Sequence, residues 1–376
     1  MNYSSLKNTY GGFQLPKAEI EVEGRAFDGR KSGMLIEKVY VELSCGYEAS
    51  KAEYLISGCV DRKSGEYRLK ELKPYMLLGS YVLVRMGYSS GTKEVFRGFI
   101  SRTEFLNEDG DSYVKVTAVD VKGIMMANSH ARQLKARYVS DAVRELFDRP
   151  AYQEMTAREI IKKLAIEATP DKKRGNADKN LVSMEMVTES DYEFAVRWAK
   201  RCGFEFFTTL GTVHFRKAWS DDKVYYRLGP EEGMTRYRIS YDLGGLAGKA
   251  EIRCMEDGRG ELVKAKRTMD NKLSLGHYAG KLVKQSEKVY IDSTIRSREE
   301  ASERLAYLSG RAAYRFATLE CECVGIPELL PGRFMEVGGL GSPADNCFYV
   351  EEVQHSMDRA AGYLCRMKGR ADKIKG

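Results

Sequence analysis

The chain has 376 residues, of which 43% are hydrophobic and 31% charged, which is the composition of an ordinary globular protein with more than one domain. No segment approaches the ~20 consecutive apolar residues of a membrane span, and the first residues lack an apolar signal-peptide core. We therefore expect a protein that is made and folded in the cytoplasm, with reduced cysteines and no membrane association. Its 61 basic residues are nearly balanced by 54 acidic ones and form no basic stripe, so we expect no specific nucleic-acid binding.

The first third of the chain, residues 1–128, predicts a β-barrel or β-sandwich domain. In the stretch IEKVYVELSC, Val39, Val41 and Leu43 fall on one face, which is the period of two of a half-buried strand. Asp109-Gly110 separates two alternating runs and predicts a β-hairpin. Such a meander needs closure or a neighbour to protect its edges.

The middle, residues 129–221, changes to a helical period. We expect Ser140 to cap one helix, and Thr156 with Glu159 to form a capping box for a second helix that continues through residue 168. The basic cluster Lys172–Arg174 follows in a polar stretch, which favours a solvated loop.

A third helix and a hairpin complete this middle region. Ser190 and Glu193 form another capping box, and Gly203 is placed to end that helix in the left-handed conformation. A tight hairpin with Leu210-Gly211 near its tip is expected next. The sequence therefore predicts a mixed helix and hairpin domain inserted into a β protein.

The last part, residues 222–376, returns to short alternating runs. LVKQSEKVYID (282–292) is interpreted as a strand, and Ser297 with Glu300 caps a helix over 297–316. The fold class is thus mainly β with an α+β insert: two antiparallel β-barrel domains flank the mixed region, and their similar size hints at a duplicated barrel.

Residues 187–218, an acidic capped helix followed by a glycine turn and an aromatic hairpin, resemble the hallmark segment of the late-control-protein-D/VgrG family of tail and secretion hubs. The positions that match are Glu189, Ser190, Asp191, Phe194, Ala195, Trp198, Ala199, Gly203, Phe204, Phe206, Phe207 and Phe215.

Residues 323–370 resemble the closing barrel of the same family, with its Gly-x-Pro-x-Leu-x-Pro-Gly run, a strand, a Gly-rich turn and Tyr-x-Val. The positions that match are Gly325, Pro327, Leu329, Pro331, Gly332, Tyr349, Val350, His355, Gly362 and Tyr363. We expect these residues to be structural rather than catalytic.

The resemblance implies a structural baseplate hub without catalytic activity or a cofactor. In this family, two tube-like barrels per subunit form a six-barrel ring in a homotrimer. That ring joins the hexameric tail tube to the trimeric central spike of a contractile phage tail or related particle. The partners implied are the tail tube and spike proteins, with the tape-measure and baseplate wedge proteins as further candidates. Assembly would occur in the bacterial cytoplasm, and the chain would become part of the virion baseplate. Because a VgrG continues into further domains, the chain resembles a hub whose spike is a separate polypeptide.

Two alternatives stay open. The chain could be the hub of a non-contractile tail or of a secretion system, which keeps the fold and changes the machine. From a different class, it could be a cell-wall-binding or cell-wall-degrading tail enzyme that uses the aromatic residues of 204–215 and a carboxylate pair.

Motifs for other chemistry are weak. Residues 87–91 match G-x-S-x-G, but a strand follows where a nucleophile elbow needs a helix, so a hairpin turn is favoured. Gly339, Gly341 and Ala344 approximate a dinucleotide fingerprint but lie between strands. The cysteines at 321, 323, 347 and 365 lack zinc-ribbon spacing, which favours buried free thiols.

Overall fold

The computed structural model describes most of the chain at residue level. The residues described are 2–108, 110–134, 136, 138–169, 184–221, 223–244, 246–255, 260–268, 276–293, 295 and 297–374. The basic cluster Lys172–Arg174 and Asp109 of the first hairpin lie outside them.

The first β portion contains three short helices and a meander of strands. The helices are α1 (Tyr3–Thr9), α2 (Gly29–Ser32) and α3 (Leu69–Met76). The strands are β1 (Pro16–Val22), β2 (Arg25–Ala26), β3 (Leu35–Ser44), β4 (Lys51–Ser57), β5 (Tyr81–Tyr88), β6 (Gly91–Glu108) and β7 (Asp111–Val119).

The insert alternates helices and short strands. Its helices are α4 (Val121–Met126), α5 (Val139–Leu146), α6 (Pro150–Ala157) and α7 (Asp191–Cys202). Its strands are β8 (His130–Leu134), β9 (Lys163–Ile166), β10 (Met184–Glu189), β11 (Phe204–Thr209) and β12 (Thr212–Lys217).

The last portion has its own small mixed unit between strands of the main sheet. The small unit holds β15 (Lys249–Met255), β16 (Leu262–Thr268), α8 (His277–Gln285), β17 (Glu287–Ile291) and α9 (Arg298–Ala313). The main-sheet strands are β13 (Val224–Leu228), β14 (Met234–Tyr241), β18 (Ala317–Val324), β19 (Arg333–Val337), β20 (Asn346–Asp358) and β21 (Gly362–Ala371).

One sheet unites the two β portions. Its path is β14-β18-β21-β20-β3-β4-β7-β6-β5-β1-β2, with β19 also on β20 and β13 on β19. The joint is the antiparallel pair β3–β20, in which His355 lies opposite Val41. The predicted mainly β fold with a mixed insert is confirmed. The domain boundaries at residues 128/129 and 221/222 stay predictions.

The cores follow the same division. Buried residues from both β portions form one continuous cluster, in which Leu43 and Val353 face each other across the β3–β20 joint. The insert has a second core around Phe194 and Phe215. Ile252 and Leu305 belong to a third core between α9 and the β15–β17 sheet. No described helix is long and apolar enough to cross a membrane.

Several local predictions are confirmed. Ser190 and Glu193 form the expected capping box of α7, and Gly203 ends that helix at a φ of 71°. The hairpin β11–β12 turns at Leu210-Gly211. Ser297 caps α9 by accepting a hydrogen bond from the Glu300 amide.

The second predicted helix is wrong. α6 begins earlier, at Pro150, whose fixed φ and missing N–H suit the first helical turn. It ends at Ala157, and Glu159 adopts a φ of 58° that breaks the helical path. The apolar residues beyond it form β9, which extends the hairpin by pairing in parallel with β12.

Two further local predictions need correction. Ser140 lies inside α5 instead of capping it, and its amide donates to the Thr169 hydroxyl at 3.1 Å, so a residue distant in sequence supplies the cap. Residues 282–292 divide between the end of α8 and strand β17, with extended Ser286 between them. The residue pattern alone did not predict this change from helix to strand within one short segment.

Candidate assembly surface and its joints

Eight neighbouring strands, β14-β18-β21-β20-β3-β4-β7-β6, expose one continuous face of the main sheet. Because successive side chains alternate between faces, the residues between the core positions all point to this side. It carries charged and polar residues almost throughout, and we call it the charged face. Its members include Arg236, Arg238, Glu320, Glu322, Arg366, Lys368, Glu352, Gln354, Glu42, Lys51, Glu53, Lys115, Arg102 and Glu104.

Opposite charges on this face pair across strands. Lys368 Nζ lies 2.9 Å from Glu352 Oε2, and Arg366 Nε lies 2.8 Å from Glu322 Oε2. In the first β portion, Lys115 Nζ lies 3.1 Å from Glu53 Oε2. The charged face is therefore exposed to solvent and nearly neutral. It has no excess of positive or negative charge that would hold a charged molecule.

The charged face ends in two unpaired strand edges. No described strand pairs with the outer side of β14, nor with the outer side of β6 beyond Ile100. Each edge has an aromatic residue on its core side that stays half exposed: Tyr237, opposite buried Cys321, is 52% exposed, and Phe105, opposite buried Val114, is 47% exposed. Unpaired edges with half-covered aromatic residues are typical of surfaces that pair with another chain.

The hairpin of the insert is joined to the second β portion by a buried ion pair. Glu205 and Arg216 face each other across β11–β12, 2.7 Å apart from Oε1 to Nε. The Tyr349 hydroxyl on β20 donates to Glu205 Oε2 at 2.6 Å, and Arg216 also donates to the Gly332 carbonyl. Burial raises the pKa of Glu205, against the lowering effect of Arg216 and Tyr349.

A second network fixes the start of α7. The Asp191 carboxylate is fully buried, pairs with Arg149, and accepts from the Tyr152 hydroxyl at 2.7 Å and the Asn128 amide at 2.9 Å. These partners come from three other elements or connections of the insert. Asp191 thus sets how the helices of the insert meet.

A third buried group lies under the loop that connects β18 to β19. His355 Nδ1 lies 2.9 Å from the Tyr363 hydroxyl and 3.2 Å from Cys365 Sγ, and its Nε2 lies 3.1 Å from the Leu329 carbonyl. Only glycine fits at 325, since a Cβ there would lie 2.1 Å from the Tyr363 ring.

A fourth joint, centred on Lys122, was not predicted from the sequence. Lys122 is fully buried, and its Nζ donates to the carbonyls of Ser44 at 3.1 Å and Glu48 at 2.5 Å. Burial lowers the pKa of Lys122 and raises that of Asp120, whose carboxylate accepts from Thr208 of the hairpin. The signal available was two opposite charges two residues apart at the start of an apolar helix.

The matching residues of the two family-like stretches meet in space at two joints. The hairpin carries Arg216 to the motif residue Gly332 and Glu205 to the motif residue Tyr349, while Tyr363 packs with His355. Most of the others lie in cores or turns: Phe194 contacts Trp198, Phe204 contacts Phe215, Phe206 contacts Tyr192, Pro327 and Pro331 are buried in the loop, Gly203 ends α7, and Gly362 begins β21.

The motifs considered for other chemistry lie in a turn, in a loop and among buried cysteines. Residues 87–91 form the β5–β6 turn, and Gly339 to Ala344 lie in the loop between β19 and β20. Cys321, Cys323 and Cys365 are buried free thiols, and Cys347 is partly exposed. Within the described part of the chain, no three His, Cys, Asp or Glu side chains are grouped to hold a metal ion.

Comparison with known proteins rests on structure. No family model matches the sequence, and no curated protein matches it. A tail protein from Neisseria meningitidis MC58 superposes with a TM-score of 0.68 and 14% identity, over 95% of this chain and 97% of that one. The 43 kDa tail protein of prophage MuSo2 from Shewanella oneidensis gives 0.66 and 13%, over 94% and 98%.

The chain has the fold of phage tail hub proteins. An Escherichia coli component of the type VI secretion system, described as similar to the T4 tail proteins gp27 and gp5, shares this tail-hub fold with a TM-score of 0.56 and 10% identity. That match covers 95% of this chain and 77% of the other. At such identities the likeness establishes the fold, which phage tails and secretion systems both use. The fold expectation of the resemblance is confirmed.

Proposed function

We propose that this chain is a structural baseplate hub that forms a homotrimeric ring between a hexameric tail tube and a trimeric central spike. The observation that carries the proposal is the charged face, to which each β portion contributes four neighbouring strands. A subunit with two similar four-stranded segments can present sixfold-like surroundings to a tube while its assembly keeps threefold symmetry.

The two free edges supply the means of association. They belong to different strands, β14 and β6, so contact between copies is head-to-tail rather than a two-fold pairing of identical surfaces. Joining β14 of one copy to the outer half of β6 in the next would cover Tyr237 and Phe105. The charged faces of three copies would then line a common channel of twenty-four strands.

The nearly neutral charged face suits a channel through which other molecules pass. Many of its charges have a partner on a neighbouring strand, so a passing polymer meets water and paired ions, not a field of one sign. No catalytic step is part of this function. The partners are the tube and spike proteins, with tape-measure and wedge proteins at the periphery, and the place of action is the baseplate of the particle.

The test is the solution mass of the purified chain, measured by light scattering at several concentrations. We expect three times the 42.5 kDa subunit mass, and a ring with six similar lobes by electron microscopy. A chain that stays monomeric at every concentration, both alone and with the spike protein of the same particle, would contradict the ring.

A point substitution at one edge sharpens the test. Tyr237→Asp places a charge where the ring would bury an aromatic residue, so we expect the trimer to dissociate while the subunit stays folded. Tyr278→Asp is the matched control, because Tyr278 is 80% exposed on α8 and lies outside both edges. Equal masses for the two variants would place the subunit interface elsewhere.

The rival function is a cell-wall-active enzyme that uses the aromatic hairpin and a carboxylate pair. In the structure Phe204, Phe206 and Phe215 are buried in the core of the insert, which leaves them unavailable as a sugar platform. Turnover of purified peptidoglycan by the chain would nevertheless overturn the structural assignment.

A further inference from the structure

The buried group beneath the β18–β19 loop contains more chemistry than packing requires. Cys323 on β18 and Cys365 on β21 are direct partners across two hydrogen-bonded antiparallel strands. Both thiols are free and fully buried. Directly opposite residues in such strands have Cα separations of about 4.5–5.5 Å, within the range that a disulfide spans.

The polar surroundings of Cys365 favour its ionised form. The Leu329 carbonyl can only accept, so the Nε2 of His355 at 3.1 Å carries the hydrogen. Nδ1 of the neutral ring is then an acceptor that the Tyr363 hydroxyl, at 2.9 Å, and Cys365 Sγ, at 3.2 Å, share. The Ile326 amide donates to the same sulfur at 3.3 Å. A nearby base and an N–H donor are the arrangement that activates a cysteine.

The pKa directions of the pair agree with this geometry. Burial opposes ionisation of Cys365, but the hydrogen bond from Cys323 and the charge and hydrogen bond of His355 together lower its pKa well below the usual value. The hydrogen bond to Cys365, with burial, raises the pKa of Cys323. One thiol is therefore set to ionise first and the other to stay protonated beside it. The titratable groups that face them are Cys321, Tyr88, Tyr363, His355, Glu322 and Glu328.

We propose that Cys365 and Cys323 form a redox pair, in which Cys365 is the nucleophile, His355 its base and Cys323 the resolving thiol, and that a peroxide converts the pair to a cross-strand disulfide. The inference is independent of the ring, since it concerns only contacts within one subunit. Its consequence is a covalent bond between β18 and β21 on the buried side of the main sheet.

The chemistry balances with hydrogen peroxide as oxidant. The Cys365 proton passes to His355 Nδ1, the thiolate attacks one peroxide oxygen, and the O–O bond breaks. The released hydroxide takes the proton from His355 and leaves as water, with Cys365 as sulfenic acid. The Cys323 sulfur then attacks that sulfur, the S–O bond breaks, and the hydroxyl leaves with the Cys323 proton as a second water. Sulfur is oxidised and peroxide is reduced.

Access is controlled by the loop from Gly325 to Gly332. Ile326 and Leu329 of this loop are 0% and 5% exposed and lie directly over Cys365 and His355. A small oxidant reaches the sulfur only when this loop opens, whereas a bulky disulfide reagent does not fit under it. The pair should thus react with peroxide and resist bulky reagents.

The experiment uses the full chain with Cys202→Ser and Cys347→Ser, which removes the two partly exposed thiols and leaves six. The folded protein is treated with hydrogen peroxide, unfolded, alkylated, and analysed by intact mass and peptide mapping. We expect the loss of two thiols and a cross-link between the peptides that contain 323 and 365. Retention of all six thiols, or a cross-link between other cysteines, would overturn the proposal.

Single variants separate the roles. With Cys323→Ser, Cys365 should stop at the sulfenic acid and be trapped by dimedone, while Cys365→Ser should give neither product. Cys321→Ser is the matched control, because Cys321 lies on the same strand and the same buried face and should leave the cross-link unchanged. Loss of the cross-link in Cys321→Ser as well would contradict the pairing.

The pH dependence of cross-linking is measured on the chain that keeps Cys323, Cys365 and His355, so this test does not depend on whether the variants fold. For an ordinary thiol, the thiolate fraction and the oxidation rate rise about tenfold per pH unit below its pKa. Because His355 lowers the pKa of Cys365, the rate of cross-linking between pH 6 and 8 should rise by less than tenfold per unit. A full tenfold rise per unit would remove the activating role of His355.

Discussion

Ion pairs have different roles in two regions of this molecule. At the joints, Asp191 is buried and Glu205 is largely covered, as are their arginine partners, and each carboxylate also accepts hydrogen bonds from neutral groups of other elements. On the charged face, pairs such as Arg238–Glu320 are exposed, with 78% and 59% of the side chains accessible. Charge held away from water fixes how parts fit, whereas charge left in water sets how a surface meets other molecules.

Removing the buried carboxylate of the insert should have the largest effect. Asp191→Ala leaves Arg149 without its partner and Tyr152 without its acceptor, so we expect a loss of about 3–5 kcal/mol in the free energy of unfolding. Denaturant titration measures it. A loss below about 1 kcal/mol would mean that the network contributes little more than an exposed pair.

The joint between hairpin and β20 should give a smaller effect with a characteristic pH dependence. Glu205→Gln removes the ion pair but keeps an acceptor for Tyr349, and we expect a cost of about 1–3 kcal/mol near pH 4.5 that becomes smaller as pH rises.

The sign of that pH dependence follows from the raised pKa of Glu205. In the folded state the carboxyl holds its proton to higher pH than in the unfolded chain, so its contribution to stability falls as pH rises from 4.5, its ordinary pKa, towards the raised pKa. Replacing Glu205 by Gln removes this slope. Unfolding free energies of both proteins between pH 4 and 8 check it: parallel curves would show that Glu205 titrates normally.

The exposed pair should give the smallest effect. Glu320→Gln breaks its ion pair with Arg238 in full contact with water, so we expect a change below about 0.5 kcal/mol in unfolding free energy. The same substitution adds a net positive charge to the charged face. A stability loss comparable to that of Glu205→Gln would abolish the distinction between joint and surface.

The sequence predicts local structure well where one segment decides it. The capping box of Ser190 and Glu193 and the turn at Gly203 act within a few residues, and both form as predicted. Thr156 and Glu159 show the same pattern but do not cap a helix, because Pro150 starts α6 earlier and parallel pairing with β12 recruits the following apolar residues. A distant partner overrides local preference there.

The candidate site was partly predictable for the same reason. Gly332 and Tyr349 were found through the resemblance, but their partners Arg216 and Glu205 were not, although the positions of these two opposite charges across a predicted hairpin were a usable signal. The free edges β14 and β6 could not be found from the sequence, since an edge is defined by the strand that is missing beside it.

The pairing of β3 with β20 also has a consequence for biosynthesis. Some three hundred residues separate the two strands, so at ribosomal rates of about 5–20 residues per second β3 waits roughly 15–60 s for its neighbour. During that time its edge is open to any other nascent chain. Lys38 and Glu42 place opposite charges on the face away from its apolar residues and oppose such pairing, so the charges that later line the sheet first protect the strand while it is alone.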